Sequence, residues 1–216
     1  MTSPRLVLAS QSPARLATLR AAGLDPGVVV SGVDESTVTS EDPEELSVEL
    51  ARLKARAVAA HLEDGLVVGC DSVLEIDGGV HGKPGTAEAA ARRWRSLRGS
   101  SGVLHTGHCV VDVGAGHELS RAARTVVHFA DLSDAEIEAY VATGEPLEVA
   151  GAFTIDGLGG AYVTGIEGDP HTVVGISLPL LRSMFGELGY AWHDFWRPRA
   201  LAPDGMDQPE GTLPPA

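Results

Sequence analysis

The segment Leu6-Val7-Leu8-Ala9-Ser10 is apolar and too short for a helix, and directly after it Ser12-Pro13 opens an amphipathic stretch that Gly23 closes. A buried strand that hands over to a helix within a few residues implies helices packed against a sheet. Ser12 is expected as the N-cap and Pro13 as the first helical residue. Three positions after the cap, where a capping box carries Glu or Gln, this chain has Arg15. A cation at the positive end of a helix needs a reason. Either the helix start binds a phosphate, with the free N–H groups, the Ser10 and Ser12 hydroxyls and the Arg15 guanidinium converging on it, or Arg15 bends out into solvent.

The pattern continues along the chain. Residues 27–35 read as a second strand running into an acidic turn, and Asp42-Pro43 starts a long helix. "GLVVGCDSVLEIDGG" reads as a strand whose two apolar stretches are separated by a polar interruption, closed by an Asp-Gly-Gly turn. Thr86 caps a helix that stops at Gly99, and the alternating segments 105–113 and 118–132 suggest a hairpin or meander. A capped helix over 133–144 precedes a Gly-rich region that mixes loops with at least one strand. The last helix lies within 171–189, where Pro179 marks a start or a kink. Residues 1–191 are expected as one domain and 192–216 as a Pro- and Gly-rich tail, whose Trp192, Phe195 and Trp196 could dock on the body.

With 216 residues, 44% of them hydrophobic, the chain can bury one substantial core. The net charge of −14 argues against a nucleic-acid or anionic-membrane surface, so a polyanion would have to be met locally. No apolar run approaches a membrane span and no signal core opens the sequence, so a cytoplasmic protein is expected. Cys70 and Cys109 form no C-x-x-C pair and are expected as small buried residues. His105 and His108 could ligate a metal, but no second ligand pair accompanies them. Of sixteen basic residues only Lys54 and Lys83 are lysines, which raises the question of whether each is kept for its compact, flexible charge.

Asp71 stands at the end of a buried strand, where α/β folds open their ligand crevices, and is a candidate metal ligand or base. Lys83 follows in a loop that is not a P-loop: Asp77 occupies the first glycine position, and Pro84 replaces the Ser or Thr that would hold magnesium.

In order and spacing, "LASQSPARLATLRAAG", "SGVDE", "LARLKA", "GCDSV", "GKP", "HTGHCVV", "GEPLEVAGAFTIDGLGG" and "GDPHTVVGISLPLL" resemble the Maf-like nucleoside triphosphate pyrophosphatases over about residues 5–190. The resemblance implies a mixed α/β fold similar to that of the inosine triphosphate pyrophosphatases, with an elongated sheet and two lobes around a cleft. It implies hydrolysis of a nucleoside triphosphate to the monophosphate and pyrophosphate, assisted by a divalent cation, Mg²⁺ or Mn²⁺. A nucleotide-binding regulator of septum formation is the alternative it carries, and a homodimer is the candidate assembly.

By the same resemblance Ser10, Ser12 and Arg15 match the phosphate-binding start, Glu35 and Asp71 the acidic metal-binding positions, and Asp71 also the proton acceptor. Lys54 matches the helix lysine and Lys83 that of the "GKP", so both lysines of the chain fall on family positions. Together these charges would neutralise a triphosphate while its α-phosphorus is attacked, and they are expected to line one cleft. The chain also departs from its relatives at positions associated with base selection: Ala14 where many have Arg or Trp, Ser72 where many have Thr, and Asp156 where Gln is frequent. A broad or purine-tolerant preference is expected. Asp156 before Gly157 also reads as an ordinary turn residue.

Overall fold

The computed structural model describes residues 4–197. A mixed sheet runs in the order β2-β1-β3-β5-β6-β7, with β4 pairing on β3. Its strands are β1 Leu6–Ala9, β2 Gly27–Val28, β3 Leu66–Ile76, β4 Gly79–His81, β5 Ser101–Asp112, β6 His117–Phe129 and β7 Val163–Glu167. The helices are α1 Pro13–Ala21, α2 Pro43–Ala59, α3 Ala87–Leu97, α4 Asp134–Ala142, α5 Pro170–Val174 and α6 Leu178–Glu187. β1 is parallel to both β2 and β3, whereas β4, β5, β6 and β7 join by antiparallel pairing.

The expected helix starts carry the expected caps. Ser12 accepts from the Arg15 amide, Asp42 from Glu44 and Glu45, and Thr86 from Ala89, while Ser133 and Glu136 form a full capping box. The second strand is shorter than its valines suggested. Only Gly27 and Val28 pair with β1, and Val28, Val29 and Val30 are exposed, so no buried face rewards a longer strand. Gly32, at φ +63°, then turns the chain away. The final helical region is two helices rather than one, because Gly175 ends α5 in the left-handed region and Ser177 caps α6 afresh, with Pro179 in its first turn.

Alternation along β3 and β5 sorts the core into three parts. One face carries Val7, Ala9, Val67 and Cys109 under α2. The other face carries two separate apolar clusters. Leu66, Val68, Cys70 and Val110 pack with α1 and α6, whereas Leu74, Leu104 and Val127 pack with α3 and α4 around Trp94. Ser72, Thr106 and Thr125 fall between the two clusters, so the polar interruption of the sequence becomes a polar seam between two lobes. Phe195 joins the cluster under α6, so packed structure continues beyond residue 191. The rest of the expected tail, residues 198–216, lies outside the described residues.

Two glycines let α2 lie directly on the sheet. A Cβ on Gly69 would stand 2.3 Å from the Ala51 carbonyl oxygen, and one on Gly107 would stand 2.1 Å from that of Ser47. Both obstacles are helix backbone, which has no rotamer to change. Gly107→Ala is therefore expected to lift α2 and destabilise the fold by about 1–3 kcal/mol, the usual cost of overpacking, measured by urea denaturation. An alanine variant as stable as the parent would contradict this packing.

Candidate active site

β1 ends at Ala9, opposite Gly69, and β4 joins β3 only from Leu74 onward. Between these two partners the β1-side edge of β3 is unpaired over residues 70–73 among the described residues, which opens a gap in the sheet at the carboxyl end of β1. Ligand crevices of open α/β sheets lie at such ends. Asp71 and Ser72 sit in this gap and, being consecutive on a strand, face opposite sides of the sheet.

On the α2 side, Lys54 Nζ lies 2.5 Å from Asp71 Oδ1 and 2.9 Å from Glu35 Oε1. Lys54 and Asp71 are buried, whereas Glu35, on a short helical turn capped by Asp34, is half exposed. The other carboxylate oxygen of Asp71, Oδ2, makes no hydrogen bond among the described residues. Among the described residues no three His, Cys, Asp or Glu side chains gather into a metal cage. Two carboxylates converging on one positive charge nevertheless form a hard oxygen set that suits Mg²⁺ or Mn²⁺, ions that commonly take one or two carboxylates and complete their shell with phosphate and water.

On the opposite side, Arg15 does not bend out into solvent. Its Nε donates to the Gly175 carbonyl at 2.7 Å, Nη1 to Ser10 Oγ at 3.3 Å and Nη2 to Ser72 Oγ at 3.2 Å. The cation at the start of α1 is thus turned toward the carbonyl end of α5. Three of its five N–H donors are engaged in these bonds and two remain. The network is ordered beyond Arg15, since Thr106 donates its single hydroxyl proton to the Thr172 carbonyl, and the Ser72 hydroxyl must then donate to Thr106, 2.9 Å away. Gly175 is at φ +110°, and a Cβ there would stand 3.0 Å from Arg15 Nε, so glycine serves both the turn and the close approach.

The hydrogen bonds and ion pairs of the described residues leave Lys83, Ala14 and Asp156 outside these two clusters. Lys83 and Asp156 are exposed on the loops 82–86 and 154–159, and Ala14 sits half-buried in the first turn of α1. Ser12 spans the two roles expected of it only in part: its hydroxyl caps α1 and its amide donates to Ser10 Oγ. Thr106, Thr172 and Gly175 hold Arg15 in place, yet they carry no sequence signal that would single them out.

His105 and His108 are three apart on β5 and face opposite sides, so they cannot share a metal. His105 meets Glu75 at 2.8 Å. His108 Nε2 accepts from the Ser177 amide at 2.8 Å, which leaves Nδ1–H to donate to the Thr106 carbonyl at 3.0 Å. Burial holds the Cys70 thiol up at about 12 and the Cys109 thiol up at about 11, so neither supplies a thiolate at neutral pH. A separate hollow of about 790 Å³ opens at the other end of β1, between Arg5, Arg20, Asp25 and Trp196, and contains none of the site residues expected from sequence.

The chain is similar to proteins of one family. The family model described as "Maf-like protein" matches residues 5–188. A protein of Salinispora tropica named "Nucleoside triphosphate pyrophosphatase" is 60% identical over 197 residues, covering 89% of this chain and 87% of its own length. One of Streptomyces coelicolor with the same name is 55% identical, covering 90% of this chain and 95% of its own length. The structure of the Staphylococcus aureus Ham1 protein aligns with a TM-score of 0.43 at 18% identity, over 59% of this chain and 72% of that one.

His108 generates a pH prediction. Burial, reinforced by the nearby Arg15 charge, lowers its pKa from 6.5 to about 4. A group whose neutral form is favoured by folding contributes stability that is fully present above pH 6.5 and is lost as pH falls toward 4. Urea denaturation across that window is expected to show a loss on the order of 3 kcal/mol in the parent, and a shallower slope in His108→Gln. Parallel curves for the two proteins would contradict the assignment.

Proposed function

The chain belongs to the Maf-like protein family and has the activity its relatives are named for, nucleoside triphosphate pyrophosphatase; we propose that this activity is housed in the gap beside β3. The observation that carries the proposal is the pairing of two clusters at one gap: Asp71 with Lys54 and Glu35 on one side, and Ser72 with Arg15 and Ser10 on the other. In this reading the triphosphate lies across the gap, with the two remaining Arg15 donors, Lys54 and Lys83 directed at its oxygens. Asp71 Oδ2 takes a proton from the water that attacks the α-phosphorus. The bond from that phosphorus to the bridging oxygen breaks, and pyrophosphate departs with the electron pair while the monophosphate stays behind. The cationic side chains stabilise the charge that gathers on the leaving oxygens.

Glu35 and Asp71 would hold the divalent cation, which supplies charge neutralisation on the phosphoryl oxygens when bound. Ala14 and Asp156 are assigned to the base end, whereas Ser72, expected there as well, bonds Arg15 and would act on the substrate through that guanidinium. An alanine side chain before Arg15 leaves more room than Arg or Trp would, and the Asp156 carboxylate accepts from amino and imino N–H groups but cannot donate to a carbonyl. These features support a broad or purine-tolerant preference and a role in clearing unwanted triphosphates from the nucleotide pool. No helix among the described residues is long and apolar enough to cross a membrane, and a cytoplasmic place fits a nucleotide-pool enzyme. The exposed valines 28–30 beside the edge strand β2 support a homodimer.

The test is a panel of ordinary and modified nucleoside triphosphates, with Mg²⁺, with Mn²⁺ and with chelator, scored for pyrophosphate and orthophosphate separately. Pyrophosphate is expected as the product, with activity lost on chelation and purines accepted at least as well as thymidine triphosphate. Orthophosphate as the first product would overturn the α-phosphorus reading. Full activity in chelator would overturn the metal assignment, and a strong preference for thymidine triphosphate over every purine would overturn the base assignment.

A further inference from the structure

Lys83 and Asp156 lie on separate loops, and one short turn grips both. The turn Glu145–Glu148 follows α4 through Gly144, and the Glu145 carboxylate reaches the loop 154–159. Its Oε1 accepts from the Tyr140 hydroxyl at 2.8 Å, the Thr154 hydroxyl at 2.5 Å and the Gly159 amide at 3.0 Å, while Oε2 accepts from the Leu158 amide at 3.0 Å. Burial alone would raise the pKa of this carboxyl, but the bonds from Thr154, Leu158, Gly159 and Tyr140 outweigh it and pull the value down to about 2. The loop is shaped to the carboxylate: a Cβ on Gly157 would stand 2.7 Å from Glu145 Oε2, and one on Gly159 would stand 2.4 Å from the Tyr140 hydroxyl.

The same turn holds the other loop by its backbone. The Leu147 carbonyl accepts from the Gly85 amide at 3.0 Å, two residues beyond Lys83. Arg93 on α3 secures the near side by donating to the Gly82 carbonyl. Loop 82–85 is therefore fixed on both flanks of Lys83, and one flank is the turn that Glu145 begins. Four donors on one carboxylate are more than a surface glutamate needs, and three of them, Thr154, Leu158 and Gly159, come from the loop that carries Asp156.

We propose that Glu145 is a positioning residue for substrate selection, setting the loop of Asp156 at the base end and, through the Leu147 carbonyl, the loop of Lys83 at the phosphate end. This rests on the reading that Asp156 faces the base. Glu145 touches neither substrate nor metal in this account and acts only through the two loops. In Glu145→Gln an amide keeps the size of the side chain, but its NH₂ group is set against donors that need an acceptor.

The experiment compares kcat and KM for one purine and one pyrimidine nucleoside triphosphate in the parent, Glu145→Gln, Asp156→Ala and the double variant, with a thermal melt of each. Glu145→Gln is expected to melt within a few degrees of the parent and to raise KM about tenfold, as loss of a charge-assisted hydrogen-bond set implies, while kcat changes much less. The ratio of kcat/KM between the two substrates is expected to shift, and the shift is expected to vanish when Asp156 is already alanine, since residues acting through one loop are not additive. An unchanged ratio in a folded Glu145→Gln, with Asp156→Ala shifting it, overturns the positioning role. A ratio shifted by Glu145→Gln but not by Asp156→Ala keeps the positioning role and removes Asp156 from the base end. If Glu145→Gln does not fold, Thr154→Val removes one donor at nearly constant volume, and the same ratio decides.

Discussion

Lys54 reaches from α2 to within 2.5 Å of Asp71 on β3, and both groups are nearly out of solvent. Removing two ions from water costs several kcal/mol each, and close pairing offsets it, with Glu35 as a second carboxylate on the Lys54 ammonium. The pair also requires α2 to lie against the sheet more closely than a side chain on Gly69 or Gly107 would permit. Small residues on the underside of the helix, Ser47, Ala51 and Ala55, complete that approach. A buried ammonium held by two carboxylates is then available beside the open edge of β3, where an anionic ligand can share its charge. In a chain of net charge −14, the proposed reading has a polyanionic substrate met only locally, by the Lys54 and Arg15 charges at this gap and by the divalent cation that Glu35 and Asp71 would hold.

The other half of the site depends on the polar seam. Ser72, Thr106 and Thr125 interrupt the apolar face of the sheet between the two lobes, and their hydroxyls receive or anchor the segment that ends in Gly175. Thr125 donates to the Asp169 carbonyl and Thr106 to that of Thr172, so α5 is tied to the seam, with Val173 also packed against the cluster around Trp94. The Gly175 carbonyl at the end of this segment is what orients Arg15. The two lobes are therefore joined, at the site, by hydrogen bonds that fix one guanidinium.

Much of this was legible in the sequence, because caps and periodicity are local properties. The starts of α1, α2, α3 and α4 follow from Ser12, Asp42, Thr86 and Ser133, whose side chains act within a few residues. The interruption at Asp71-Ser72 was visible as well, and so were the two lysines. The fate of Arg15 was not. It rests on Gly175, 160 residues away, and no local rule connects a helix start to a carbonyl that distant. The length of β2 was misjudged because three consecutive valines signal a strand only where something covers them, and here they are exposed. Glu145 left no signal either: "GEP" reads as a turn, and its importance lies in four donors that only the folded loops bring together. Arg15, Lys54 and Asp71 stood out in the sequence by their own charge, whereas residues that act by holding others, such as Thr106, Gly175 and Glu145, did not.

The central claim is that Asp71 takes the proton from water at the gap beside β3, and the turnover number for pyrophosphate release by Asp71→Asn tests it most directly. Asparagine keeps the shape and an oxygen that accepts from Lys54, and Glu35 remains to balance the ammonium, so the melting temperature is expected to stay within a few degrees of the parent. Turnover is expected to fall about a hundredfold to ten-thousandfold, the usual worth of a general base. A folded Asp71→Asn protein that releases pyrophosphate at nearly the parental rate would contradict the account.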